Sequence, residues 1–140
     1  MSHSDPLISV IIPNYNYARY IAATLDSVAR QDHGPIELIL VDDASNDNSL
    51  DVARRVLAND KRFSRIVLIA QPTNKGKLAA INRALEEVQG PYSIILDSDD
   101  LLTPHYISRC LSALLAARKA QAHIGFVYTD CYLIDENGKS

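Results

Sequence analysis

Five short, nearly uninterrupted apolar runs leave this chain few folds to adopt. They fall at 7–12, 36–41, 65–70, 92–96 and 124–128. Each has the length and branched composition of a buried strand. Helical periodicity fills the intervals between them. In 17–30, Ile21, Leu25 and Val28 share one face, and in 48–58 Leu50, Ala53 and Leu57 do so. The stretch 77–88 is also helical, and Gly90-Pro91 is expected to end it. A last helix is expected from Thr103 as N-cap, with Pro104 in its first turn, to about 119. Pro13 is expected to stop the first strand. Strands alternating with helices predict an α/β fold with a mainly parallel sheet, covered on both faces. Right-handed crossovers then bring the C-terminal ends of all strands to one edge, where open α/β sheets bind ligands.

Composition excludes several classes. The 140 residues carry a net charge of −3, and the fourteen Lys and Arg are scattered, so nucleic acid is not an expected partner. A hydrophobic share of 47% with 22% charged residues suits one globular domain, read here as 1–140, rather than a disordered tract. Cys110 and Cys131 are too few for a disulfide framework and are expected as reduced thiols, at least one of them buried. His3, His33, His105 and His123 show no ligand spacing and read as surface or structural residues. Nothing in 1–6 resembles a signal peptide, and no stretch approaches a transmembrane span. The expected location is cytoplasmic, with a peripheral position at the inner face of the membrane left open for the intact protein.

The informative residues follow the strands. They are Pro13-Asn14-Tyr15-Asn16, then Asp42-Asp43 with Ala44-Ser45-Asn46-Asp47, then Gln71-Pro72-Thr73-Asn74-Lys75-Gly76-Lys77, then Asp97-Ser98-Asp99-Asp100. So many carboxylates at one edge are either spread and solvated or gathered around a cation. Mg²⁺ or Mn²⁺ prefers oxygen ligands, and one or two carboxylates plus substrate phosphates is an ordinary arrangement. Acids two apart at a strand end point to the same side, which suits Asp97 and Asp99, while Asp100 has the alternative of capping a helix. Within Asp42-Asp43, one acid suits the N–H of a base or a ribose hydroxyl and the other suits the loop. The competing reading gives Asp42 or Asp43 an Asx turn and gives Ser45 or Asp47 a helix cap. Tyr15 offers a ring to stack on a base. Lys75 and Lys77 flank a turn glycine at a helix start, where phosphates bind, or are simply solvated. No phosphate-cradling Gly-x-x-x-x-Gly-Lys-Ser/Thr and no Gly-x-Gly-x-x-Gly is present.

The ordered runs Ile8-Ser9-Val10-Ile11-Ile12-Pro13-Asn14-Tyr15-Asn16, Glu37-Leu38-Ile39-Leu40-Val41-Asp42-Asp43-Ala44-Ser45 and Leu96-Asp97-Ser98-Asp99-Asp100 resemble the inverting family 2 glycosyltransferases of the GT-A fold. The resemblance runs from Leu7 to about Asp135. It implies a Rossmann-like three-layer α/β/α domain that binds a nucleotide-diphosphate sugar, with uridine diphosphate (UDP) the expected carrier. It implies that Pro13, Tyr15 and Asn16 line the nucleotide pocket and that Asp43, beside Asp42, meets the base. Lys75, Asn82 and Asp97 are further expected donor contacts, with Arg83 an alternative to Asn82. Asp97-Ser98-Asp99 matches the family's Asp-x-Asp motif. Asp99 would be nearest a divalent Mn²⁺ or Mg²⁺, with Asp97 beside it and Asp100 a rival.

Family members continue well past this length, and their later part supplies the acceptor site and the base. The expected acceptor is a glycan or a lipid-linked sugar in polysaccharide or cell-envelope synthesis. No catalytic base is assigned in this chain, which is expected to bind nucleotide and metal but to turn over poorly alone. The alternatives are a non-catalytic nucleotide-binding fragment or a degenerate relative. A nucleotidyltransferase would need a Gly- and Arg-rich first loop, and a phosphate-receiver domain would place its acid pair after the first strand.

Overall fold

The computed structural model describes residues 5–120, 123–135 and 137–139. Residues 1–4, His3 among them, and Glu136 and Ser140 of the terminal polar segment lie outside the described residues. The strands are β1 (Ile8–Asn14), β2 (Ile36–Asp42), β3 (Arg65–Ala70) and β4 (Tyr92–Ile95). The helices are α1 (Ile21–Ala29), α2 (Ser49–Leu57), α3 (Lys77–Leu85) and α4 (Tyr106–Ala120). The sheet is parallel throughout, in the order β3-β2-β1-β4.

The pleat sends alternate side chains to opposite faces. Ile8, Val10 and Ile12 of β1, with Leu38 and Leu40 of β2, pack under Leu25 and Val28 of α1, Ala53 and Leu57 of α2 and Ile107 of α4. Ile11, Ile39 and Val41 face the other way, against Ala80 and Ala84 of α3. This is the expected three-layer α/β/α arrangement. The two central strands are buried at every position, which is why their runs are apolar without alternation.

Several sequence-based boundaries move. Pro13 does not stop β1, which continues to Asn14 and pairs Pro13 with Val41. The Pro13 carbonyl accepts from Ser98 Oγ at 2.7 Å, so its nitrogen faces that same side, where the β4 ladder has already ended at Ile95. The missing N–H therefore breaks no bond. Helix α3 stops at Leu85 rather than 88. Glu87 and Val88 donate to Ala84 and Leu85, and Glu37 then captures the N–H groups of Gln89 and Gly90. Helix α4 starts at Tyr106, not at Pro104, because Gln31 Oε1 accepts the N–H of Ile107 at 3.0 Å and serves as its cap.

The fifth run, 124–128, forms no strand. Gly125, Phe126 and Val127 border a groove beside β4 and α4, but Phe126 is 77% and Tyr128 86% exposed. Apolarity predicts a strand only where a neighbouring edge and a covering layer exist, and none covers these side chains. The terminal polar turn does form, with the N–H of Gly138 donating to Asp135 O. Neither cysteine is fully buried: Cys110 is half-buried beside the same groove and Cys131 is exposed. His33 is buried against the Pro6 carbonyl, His105 meets Asp32, and His123 is exposed. Among the described residues, no helix is long and apolar enough to cross a membrane.

Candidate donor-binding site

From β1 the strand order runs through β2 to β3 on one side, then places β4 on the other. The gap between the C-terminal ends of β1 and β4 is thus a topological switch point, where such sheets bind ligands. A cleft of about 480 Å³ opens there. Pro13, Asn14, Tyr15 and Tyr17 line it after β1, and Asp43 lines it after β2. Asn74, Gly76, Lys77 and Ala80 approach from the start of α3, and Asp97, Ser98 and Asp99 from the end of β4. Of the residues expected from the sequence, Pro13, Tyr15, Asp43, Asp97 and Asp99 meet in this cleft, while Asn16, Asp42, Lys75, Asn82 and Asp100 are not among its lining.

Those outside have visible tasks. Asp42 is buried and accepts from Asn14 Nδ2 at 2.7 Å, from the Ser45 N–H at 3.0 Å and from Ser45 Oγ at 2.6 Å. It folds its own loop, through Ser45 three residues on rather than through the two-residue Asx turn expected. Asn16, at φ 62°, accepts the N–H groups of Asn46 and Asp47 and donates its own to Ser45 Oγ, joining the first two loops. Asp47 accepts the Ser49 N–H at the start of α2 and the Ala18 N–H across the loop. Burial raises its pKa, but these hydrogen bonds, with that from Ser49 Oγ, outweigh burial and hold the carboxyl below its ordinary value. Lys75 gives its backbone N–H to Asp43, and Asn82 sits on the exposed side of α3.

Asp43 faces two ways. Its carboxylate is buried, accepts Gln71 Nε2 and the Lys75 N–H at 2.9 and 2.8 Å, and takes the Gly76 N–H at 2.7 Å. About four acceptor sites exist on a carboxylate. Three are used to hold the loop before α3, leaving one for a ligand in the cleft. Gly76 makes that loop possible: its φ of 88° with ψ of 161° is open to glycine and strained for other residues.

The acid loop is hung from the helix behind it. Ser98 is buried, donates to Pro13 O and accepts Thr24 Oγ1 on its carbonyl at 2.8 Å. Ser27 Oγ accepts the Leu102 N–H, and Gln31 donates to Thr103 O at 2.8 Å. With Ser98 turned inward, Asp97 and Asp99 both reach the cleft. Asp100 closes the turn through its N–H to Asp97 O. Partial burial, then the charges of Asp99 and Asp97, push its carboxyl above the ordinary value. Lys77 Nζ lies 2.6 Å from the Asp97 carboxylate.

Among the described residues, no three His, Cys, Asp or Glu side chains converge to hold a metal ion by themselves. The donor set nonetheless suits a hard divalent cation of another kind. Asp97 and Asp99 offer carboxylate oxygens into an open cleft, and Mg²⁺ or Mn²⁺ commonly takes one or two such ligands and completes its shell with phosphate and water. Asn14 had no role in the sequence-based reading, while Lys77 was weighed there, beside Lys75, as a cation near phosphate. Asn14 follows the strand proline as a plain polar residue, yet it is buried, its amide nitrogen binds three partners, and Oδ1 has none among the described residues. The signal for Lys77 was its place opening a helix.

The family model for glycosyl transferase family 2 matches residues 9–135. The chain belongs to that family. An uncharacterised glycosyltransferase of Haemophilus influenzae is 37% identical over 125 residues, covering 89% of this chain and 49% of that protein. Chondroitin synthase of Pasteurella multocida is 37% identical over 81% of this chain and 11% of its own length. Among solved structures, S. aureus TarS in complex with UDP matches with TM-score 0.70 and 29% identity, over 80% of this chain and 32% of that one. The mannosyltransferase PcManGT from Pyrobaculum calidifontis, in complex with GDP-Man and Mn²⁺, matches with TM-score 0.65 and 32% identity, over 69% and 28%. The fold of this family 2 member is therefore that of GT-A glycosyltransferases. The chain spans about half the length of the Haemophilus relative.

Proposed function

We propose that this chain is the donor half of an inverting glycosyltransferase, binding a UDP-linked sugar in the cleft between β1 and β4 for transfer to an acceptor hydroxyl in glycan synthesis. The observation that carries the reading is the convergence of Pro13, Tyr15, Asp43, Asp97 and Asp99 on one cleft at the switch point. The UDP complex of TarS and the chondroitin synthase likeness support donor and glycan class.

In this reading Tyr15, 40% exposed, presents its ring to the base. Asp43 turns its remaining acceptor site to a base N–H or a ribose hydroxyl. Asp99, with Asp97, faces the diphosphate and holds Mn²⁺ or Mg²⁺. The ion supplies charge stabilisation for the leaving diphosphate. The side chains of the cleft position the donor, and a general base for the acceptor hydroxyl is assigned to none of them. A cytoplasmic location, where nucleotide sugars are supplied, belongs to the same proposal.

Calorimetric titration with UDP, with and without Mn²⁺, tests it. Binding is expected to require Mn²⁺ and to weaken at least tenfold in Asp99→Ala, the size of one charge-assisted contact at about 1.5–3 kcal/mol. Equal binding by the variant would remove Asp99 from the metal site, and no binding by the parent chain in either condition would remove the reading.

A further inference from the structure

Lys77 is the one cation among the described residues lining the cleft, against three carboxylates, Asp43, Asp97 and Asp99. Its ammonium sits on Asp97, 2.6 Å away, where a metal ion would need the same oxygens. Both partners are accessible, with 56% of the lysine side chain and 42% of the aspartate side chain exposed. Exposed lysine–carboxylate pairs hold weakly, and the four-carbon stem lets the charge move without disturbing α3. A diphosphate entering between Asp97 and the start of α3 brings new negative charge to the place where Lys77 stands.

We propose that Lys77 is an exchangeable counter-ion. In the empty cleft it neutralises Asp97. When the divalent cation takes Asp97, the ammonium is released and moves to the phosphate oxygens of the nucleotide. Lys77 therefore opposes metal binding to the empty cleft and favours the nucleotide once metal is present. The two ligands are coupled through one side chain: metal frees the lysine that the diphosphate then uses. This inference rests on the reading of the cleft as a metal–diphosphate site, and it assigns the phosphate contact to Lys77 rather than to Lys75.

The test needs two titrations of the same chain. Mn²⁺ alone is followed by the loss of free-ion electron paramagnetic resonance signal, and UDP at saturating Mn²⁺ is followed by calorimetry. Lys77→Met is expected to bind Mn²⁺ alone about two- to fivefold more tightly and UDP·Mn²⁺ about two- to fivefold more weakly. Lys77→Arg keeps the charge and is expected to restore UDP binding. Thermal melting of each variant checks that α3 is intact. A lysine that only braces the loop would change both affinities in one direction, and an uninvolved lysine would change neither. Either result, with normal UDP·Mn²⁺ binding by the parent chain, overturns the exchange and leaves the donor site standing. Failure of the parent chain to bind UDP at all overturns both.

Discussion

Gly76 sits where the loop after β3 turns into α3, and its conformation decides whether two N–H groups reach Asp43. A Cβ there would meet nothing within 4 Å, so any cost of Gly76→Ala is backbone strain alone. That cost is expected at about 1–3 kcal/mol, read as a lower midpoint in urea unfolding with an unchanged slope. Asp43 illustrates what residue type can and cannot disclose. A pair of acids after a strand signals a polar loop end. Which acid folds its own loop and which lines the cleft depends on loops arriving from 71–76, a relation that spacing along the chain does not encode.

The same limit applies to β2, whose run from 36 to 41 contains one carboxylate, Glu37. The sequence shows an apolar strand interrupted by an acid. The structure buries that acid completely at the end of the sheet away from the cleft, where Ser9, Arg65 and the N–H groups of Gln89 and Gly90 surround it. Burial alone would raise its pKa, but the hydrogen bonds outweigh it and hold the carboxyl below the ordinary 4.5. A carboxyl depressed on folding stabilises the fold above its unfolded pKa. That stabilisation disappears as pH falls from about 4.5 through the lower folded value. Glu37→Gln is expected to lower stability by roughly 1.5–3 kcal/mol at neutral pH, the size of a charge-assisted hydrogen bond. The gap from the parent chain is expected to narrow below pH 4.5. Urea unfolding across pH 3–7 measures both. A gap independent of pH would mean that packing, not charge, is what Glu37 provides. Helix ends were the least legible elements, because their stops are set by partners elsewhere, as Gln31 sets the start of α4.

For the molecule as a whole, the alternation of strands and helices carried the α/β architecture, and the polar strand ends carried the edge at which the cleft opens. Strand order was not legible. It depends on the crossover through α3 returning the chain to the far side of β1, and this places the acid loop opposite Pro13 and Tyr15. The expectation of a fifth strand failed for a related reason: pairing is a property of two segments, and Phe126 and Tyr128 lie on none. Under the proposed function, donor binding and sugar transfer are separate measurements. The 140 residues are expected to bind UDP·Mn²⁺ without measurable transfer from a UDP-sugar to a hydroxyl acceptor. Transfer by this chain would locate a base among its own residues.

The grip on the acid loop has a further consequence. What Thr24, Ser27 and Gln31 hold is main chain, namely the carbonyls of Ser98 and Thr103 and the N–H groups of Leu102 and Ile107. Main-chain atoms are common to every amino acid except the N–H that proline lacks. Substitutions at Asp97, Asp99, Asp100 or Leu101 therefore leave all four hydrogen bonds available. The loop works like a tool holder clamped by its shank, in which the cutting tip is free to be exchanged. Descent with modification can retune the chemistry at that tip while inheriting its position from Thr24 and Ser27 of α1 and from Gln31 just past its end, none of which lines the cleft.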